Sequence, residues 1–597
     1  MKFTDWKAFT PEKAAAELPR LLDSARKAVE EIEKLEAPVS YEVLVPALNE
    51  ATRPLYRMWG DVHHMLSVMN SEAWRNLQDE FQARIVEFSL SVGQSSALYR
   101  LAKSALADES LDSVRRRILK RMVQSAEHSG VGLEGGAKAR FNEIAARLAK
   151  LGSDFHNAVI DATTPEISDA VFPETMKHNP DRALREKLYR LRVTRAPENA
   201  ARIDEILSLR DEEARLLGFS NYAEKSLAVK CAPGAEAVYS MIGRLDEATV
   251  KPAAAEEVEG EPWDKAFNAE RLRERLYSYS EEELKKHFEF ADVLKGLFRI
   301  TSFLFGVEVE ELSGERKPSV WHEDVRFFAV REAGEEIAYF YLDPYVRTSL
   351  KSGGAWMNDF GSKRPGHLPV AVIVLNLPLA DENGKCFMPM REVETLFHEF
   401  GHALQHMLTR VEEEDAAGIN LVEWDAVEVA SQFMENWCLD ERTGISVPED
   451  LKAKVKAAKN FRAATQCRRQ LAFAKLDLDL HSSKTDDPNG VKSAVFAHFS
   501  LSSVPEDRFL NAFTHIFAGG YAAGYYGYKW AEVMSADCYG AFEEAGLEND
   551  EAMADIGRRY RESVLALGGS KSALDVFRVF RGRDPEIAAL LRQQGLA

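Results

Sequence analysis

The stretch REVETLFHEFGHALQHML (391–408) decides how this chain is read. At its centre stands His398-Glu399-Phe400-Gly401-His402. An α-helix turns once in about 3.6 residues, so the two histidines lie one turn apart on one face. The run contains no Pro and a single Gly, and Val393, Leu396, Phe397, Phe400, Leu404 and Met407 supply its apolar side. Two neutral imidazoles at that spacing hold one Zn²⁺, and Glu399 between them reaches a water on the metal as a general base. A surface helix with scattered His and Glu is the plainer alternative, which the pentapeptide alone does not eliminate.

A catalytic zinc site needs a third protein ligand and one open position. The segment EWDAVEVASQFMENWCLDE (423–441) offers acids at 425, 428 and 435, close to helical spacing and interleaved with Val427, Phe433, Met434 and Trp437. On spacing alone Glu428 and Glu435 both fit the third position. Asp425 suits either an acceptor for a ligand histidine or a helix cap. His406, one turn past His402, is read as packed behind the site. Further on, HIFAGGYAAGYYGYKW (515–530) gathers one His, four Tyr and four Gly. Phenol hydroxyls are neutral donors suited to the charge that develops on a tetrahedral intermediate, and glycines let a backbone approach or shift. A Gly/aromatic packing seam explains the same composition equally well.

HEFGHALQH followed by DAVEVASQFMENW resembles the thimet oligopeptidase family of zinc peptidases, and within it the bacterial oligopeptidase A group. The resemblance implies that the family's V-E-x-P-S-Q motif lies at Val427-Glu428-Val429-Ala430-Ser431-Gln432, with His398, His402 and Glu428 as ligands of one Zn²⁺. Ala430 stands where the family has Pro, and Gln405 where it has His. The resemblance also carries the H…G-G-Y-x-A-x-Y-Y-x-Y signature onto 515–528. It implies catalytic roles for Glu399, His515, Tyr525 and Tyr528, and substrate contacts for Gly519, Gly520 and Tyr521. YLDPYVRTSLKSGGAWM (341–357) is similar to the family's strand and glycine-rich loop beside the cleft. Arg347 within it is a candidate partner for a substrate carboxylate, with a structural ion pair as the alternative. Pro262-Trp263-Asp264, residues 130–155 and FRVFRGRDPE (577–586) extend the likeness, and the chain is shorter than typical members near 250–262.

The rest of the 597 residues sets bounds. A net charge of −20 repels phosphate backbones, so no nucleic-acid partner is expected. Five scattered cysteines with no CxxC, an N-terminus without an apolar signal core and no run of about 20 apolar residues point to a cytoplasmic protein free of the membrane. Apolar stripes such as Trp74, Leu77, Phe81, Ile85 and Phe88, or Phe141, Ile144, Leu148, Leu151 and Phe155, predict packed helices. His63 and His64 read as structural, and SEEELKK (280–286) as a capped helix start. VRFFAV (325–330), EIAYFYLD (336–343) and PVAVIVLNL (369–377) predict strands, with Gly334 turning between the first two. The turn residues of KHNPDR (177–182) suggest an N-terminal helical region over 1–180 and a catalytic region over 181–597.

The expected protein is thus mainly α: a two-lobed helical zincin-type peptidase with a small sheet beside the zinc helix and a deep central channel. Its expected work is hydrolysis of internal bonds in short unfolded peptides, as a monomer. A dipeptidyl carboxypeptidase of the same family, or a zinc-stabilised peptide-binding protein without turnover, are the competing readings.

Overall fold

Thr10 accepts a hydrogen bond from Lys13 N and Pro11, which has no N–H, occupies the first turn, so helix α1 (Pro11–Glu33) starts with fewer free N–H groups. The computed structural model describes residues 3–167, 171–278, 281–347 and 350–596. After α1 come α2 (Tyr41–Val68), α3 (Glu72–Gly93), α4 (Ser96–Leu106) and α5 (Ser113–His128). The stripe Trp74, Leu77, Phe81, Ile85, Phe88 is buried along α3, and Phe141, Ile144, Leu151 and Phe155 are buried along the helix Gly135–Asp161. Ser280 of the expected helix start and Thr348 and Ser349 of the expected glycine-rich loop lie outside the described residues.

The sheet has five strands: β1 (Glu308–Glu311), β2 (Arg326–Glu332), β3 (Glu335–Tyr345), β4 (Trp356–Gly361) and β5 (Val370–Leu377). Their order is β1-β2-β3-β5-β4, with β3 and β5 parallel and the other pairs antiparallel. Gly334 carries a φ of +86° in the β2–β3 turn, a conformation glycine adopts without a Cβ clash. β2, β3 and β5 are the strands expected from sequence. The acidic β1 and the half-exposed WMNDFG of β4 lack alternation that would have marked them.

Side chains alternate across a strand, and here both faces are buried. Phe328, Val330, Phe340, Leu342, Ile373 and Leu375 enter one core, which they share with the helix Met390–Met407. Phe327, Ala329, Tyr341, Val370, Val372 and Val374 enter a second core with α1–α5. A third core joins Ile144, Leu151 and Phe155 to Leu471, Phe473, Leu476, Ile516, Tyr525 and Tyr526. The N-terminal helices therefore share a core with the sheet, and a cut at residue 180 does not separate two self-contained cores. The metal-ligand candidates stand on the first core and the Gly/Tyr segment on the third, so the candidate site forms where these two bodies meet. The mainly helical fold with a small sheet beside the HExxH helix is as expected.

Candidate metal centre and active site

The helix Met390–Met407 packs its apolar stripe on β5, β4 and β3. This leaves His398 and His402 on its other side, with ring centroids 5.0 Å apart. The neighbouring helix is short, Val429–Glu435, and Glu428 is its N-cap. The expected helix over 423–441 is broken because Asp425 is held elsewhere. Its carboxylate accepts from Cys231 N at 2.9 Å, Ala232 N at 3.0 Å and the Tyr526 hydroxyl at 2.7 Å. Asp425 thus ties three chain segments together and does not serve a ligand histidine.

Gly401 explains how the two helices come so close. A Cβ there would lie 2.5 Å from Ala430 O and 2.7 Å from Ser431 Cα, so no side chain fits. The close approach brings Glu428 Oε2 to 3.1 Å from His398 Nε2 and 3.2 Å from His402 Nε2. Ser431 Oγ donates to the same carboxylate at 2.9 Å. Glu435 is placed behind this group: His398 Nδ1 donates to its Oε1 at 2.7 Å. That bond leaves the Nε2 lone pair of His398 facing Glu428, the arrangement a metal-ligating imidazole needs. Glu435, a spacing candidate for the third ligand, thus lies behind His398, while Glu428 joins the two histidines in the group that could hold a cation. His402 Nδ1 is buried without a hydrogen-bond partner, so no acceptor behind the ring corresponds to the one Glu435 gives His398.

The donor set fits a divalent cation. One atom from each of His398, His402 and Glu428 lies within 4.8 Å of the others, two nitrogens and one carboxylate oxygen, as in tetrahedral sites with an open position. The electrostatics agree. Burial opposes the charged form of His398, yet Glu428 and Glu435 raise its pKa to about 10. Burial likewise opposes ionisation of Glu428, and the two histidines still hold its pKa well below the carboxylate range. The group attracts positive charge from either a proton or a cation. Glu399 is buried beside it, and that burial raises its pKa against the pull of His398 and His402.

His406 is fully buried and bonds Gly361 O through Nε2 at 3.0 Å, which ties the HExxH helix to the end of β4. His64 is also buried, wedged among Trp6, Trp321 and Phe360, and burial lowers its pKa to about 3. Arg347 is buried and paired with Asp343 at 2.9 Å, and Lys351 joins the same carboxylate. Its guanidinium also reaches Val68 O at 3.3 Å. These contacts use Arg347 in the framework and leave it no freedom to meet a substrate carboxylate.

Opposite the ligand group, the segment 515–528 forms an aromatic array. The His515 ring lies 6.1 Å from Tyr521, 5.6 Å from Tyr525 and 6.5 Å from Tyr528. Tyr521 and Tyr528 stack at 5.1 Å, and both feel the Glu428 charge. Tyr525 turns away and donates to Gln470 Oε1 at 3.0 Å. Gly520 carries a φ of +79°, and a Cβ on Gly519 would press on His515 O at 3.1 Å, so this turn favours the glycine pair. The exposed Trp424 lies 5.5 Å from the Tyr521 ring.

Sequence reasoning missed what holds this array. Asp477, fully buried, accepts from the N–H groups of Ala523, Gly524 and Tyr525, each at 2.9 Å. Its other partner is His481 Nδ1 at 3.0 Å. The available signal was an acid at the centre of the apolar stripe LAFAKLDLDL (471–480), since a buried carboxylate must find donors.

Glu435 supplies a direct check of this geometry. Glu435→Gln weakens metal binding about 10–100-fold, the usual cost of losing a partner behind a ligand, whereas Glu428→Ala abolishes tight binding. Competition against a chelator measures both. Equal retention of metal by the Glu428→Ala variant and the parent would overturn the ligand assignment.

This fold and this donor set define a metallopeptidase of the zincin type. Residues 175–596 match Peptidase family M3, and residues 18–138 match the Neurolysin/Thimet oligopeptidase N-terminal domain. The chain belongs to peptidase family M3, as the HEFGHALQH and VEVASQ segments led one to expect. It is 39% identical to the organellar oligopeptidase A (chloroplastic/mitochondrial) of Arabidopsis thaliana, over 96% of this chain and 84% of that protein. It is 35% identical to oligopeptidase A of Escherichia coli (strain K12), over 98% of this chain and 97% of that one. Among solved structures, PZ peptidase A with inhibitor 2 shares the fold with a TM-score of 0.60 at 17% identity, covering 100% of this chain and 97% of that one. Membership makes the protein a metal-dependent peptidase, which sets aside a peptide-binding protein without turnover. Among the described residues, no helix is long and apolar enough to cross a membrane.

Proposed function

We propose that this protein is a zinc-dependent oligopeptidase that cuts internal bonds of short unfolded peptides. The observation that carries the reading is the convergence of His398, His402 and Glu428 on one point, with buried Glu399 beside it and the stacked Tyr521 and Tyr528 close enough to feel the Glu428 charge. A bound Zn²⁺ supplies Lewis acidity to the scissile carbonyl and to the attacking water. Glu399 accepts the proton of that water and passes it to the leaving amine. Its raised pKa suits both halves of the transfer. Tyr528, with Tyr521 stacked on it and His515 nearby, donates to the carbonyl oxygen as charge builds there. Tyr525 holds the array against Gln470. Gly519 and Gly520 give the substrate backbone room beside Tyr521.

β4 is a sheet edge, and its Asn358 and Asp359 are exposed. An extended peptide adds to such an edge through main-chain hydrogen bonds, which read no particular side chain. A broad tolerance of sequence follows. All five cysteines are buried and unpaired, which suits a reducing cytoplasm, and the protein is taken to act there as a monomer.

Mass spectrometry of products from a peptide mixture, half of it amidated at the C-terminus, tests the reading. Internal cuts in amidated peptides, lost on chelation and restored by Zn²⁺, are expected. Release of C-terminal dipeptides alone, and only from free acids, would make the protein a dipeptidyl carboxypeptidase.

A further inference from the structure

Arg469 and Gln470 are neighbours on the helix Ala463–Ser482 and have opposite surroundings to Arg468. Arg468 is buried and fully used, on Asp246 and on the carbonyls of Phe499 and His498. The Arg469 side chain is exposed and, among the described residues, its guanidinium makes no hydrogen bond and no ion pair. Its Cζ lies 4.9 Å from the centre of the Phe473 ring. Surrounding protein lowers its pKa, with the Tyr525 and Tyr189 hydroxyls and Asp507 acting in the opposite direction. A side chain that water can reach, but that protein surrounds, stands on the floor of a concave surface.

Its place in that surface follows from the aromatic array. Tyr528 and Tyr521 face Glu428, Tyr525 lies 5.3 Å from Tyr528, and the Tyr525 hydroxyl bonds Gln470. Arg469 therefore stands at the Tyr525 end of the array, on the Phe473 ring, which lies 5.9 Å from the Tyr525 ring. Asp507, the carboxylate whose charge it feels, is already taken by Phe509 N at 2.7 Å and has Lys492 at 3.8 Å. Arg192 adds positive charge on the same side. A guanidinium without a counter-ion keeps its donors free, and its planar fork matches a carboxylate in a bidentate fashion.

We propose that Arg469 forms a carboxylate-binding subsite of the peptide cleft, which receives a substrate's C-terminal carboxylate or an acidic side chain beyond Tyr525. The proposal rests on the oligopeptidase reading and deepens it by naming a residue that selects among peptides. A carboxylate held there anchors one end of a short chain while the scissile bond lies at the metal-ligand group. This favours short acidic-ended peptides over the interior of long ones.

The test compares internally quenched peptides of one sequence and the Zn²⁺-loaded enzyme. One arm sets the free C-terminal acid against the amide. The other sets amides carrying one Glu against the same amides carrying Gln, with the position scanned. The parent enzyme should prefer the carboxylate in one arm by about 10–100-fold in kcat/KM, mostly through KM, the scale of a hydrogen bond to a charged group. The arm that shows the preference names the source. Arg469→Gln should bring the ratio close to one, and Arg469→Lys should restore part of it, because charge returns without the fork. Thermal melting and metal content show whether each variant is folded. If the glutamine variant is not, the parent's preference and the lysine variant decide. No preference in either arm for the parent, or a ratio unchanged in a folded Arg469→Gln variant, overturns the subsite while leaving the oligopeptidase reading intact. Failure of the parent to cleave any peptide overturns both.

Discussion

Glu399→Gln leaves the metal in place and removes peptide hydrolysis, with kcat falling by about 10²–10⁴-fold, the range for loss of a positioned general base. Glu399 shares the helix face region of the ligands without being one. Glu428 stands with the two histidines in the candidate metal group, 3.1 and 3.2 Å from their nitrogens. The Glu399 carboxylate is buried, and among the described residues it has no protein hydrogen-bond partner, so it is free to meet a water. Burial raises its pKa, which strengthens it as a base, while His398 and His402 pull in the opposite direction. Glutamine matches its shape and cannot accept a proton. Metal analysis and turnover of a quenched peptide are measured on the same preparation. Near-normal turnover, or metal lost together with activity, would remove Glu399 from the role of base.

The parts of this site that were legible in sequence are those set by local periodicity. HExxH fixes two ligands because a helix returns to the same face after four residues. The strand runs at 325–330, 336–343 and 369–377 were legible because β-branched and aromatic residues are buried on both faces of the sheet. Long-range pairing was not legible. Glu428 and Glu435 are seven residues apart and equivalent on a helical wheel. What separates them is that the chain turns at Asp425, pinned by Cys231, Ala232 and Tyr526, so the helix begins only after Glu428. Only the family motif chose between them in advance. Arg347 illustrates the opposite error. An arginine beside a glycine-rich loop suggests a substrate partner, but Asp343, four residues earlier on β3, had the first claim on it. Asp477 and Arg469 escaped notice for a shared reason: their meaning depends on a segment some 45–55 residues later in the chain, which only the third core brings to them.

Tyr528→Phe lowers kcat by about 10²–10³-fold and leaves KM within a few-fold, whereas Tyr525→Phe changes kcat only several-fold. The two tyrosines look alike in sequence and differ in what their hydroxyls meet. The Tyr525 hydroxyl is committed to Gln470 at 3.0 Å, and its backbone N–H to Asp477, so its loss disturbs support more than chemistry. The Tyr528 ring stacks on Tyr521 at 5.1 Å, on the side of the array that feels Glu428. Burial, the Tyr521 hydroxyl and the Glu428 charge all raise the Tyr528 pKa, so the phenol stays protonated across the working pH range. A neutral donor of this kind is of little use to a ground-state carbonyl that water solvates equally well. It becomes valuable when the oxygen turns anionic, and the cost of removing it therefore falls on kcat. A pH profile adds a second readout: no basic limb from a phenol should appear below about pH 10, the ordinary value for tyrosine. If Tyr528→Phe keeps kcat within a few-fold of the parent, the donor is elsewhere. His515, 6.5 Å from the Tyr528 ring and exposed on the same array, is then the group to replace next.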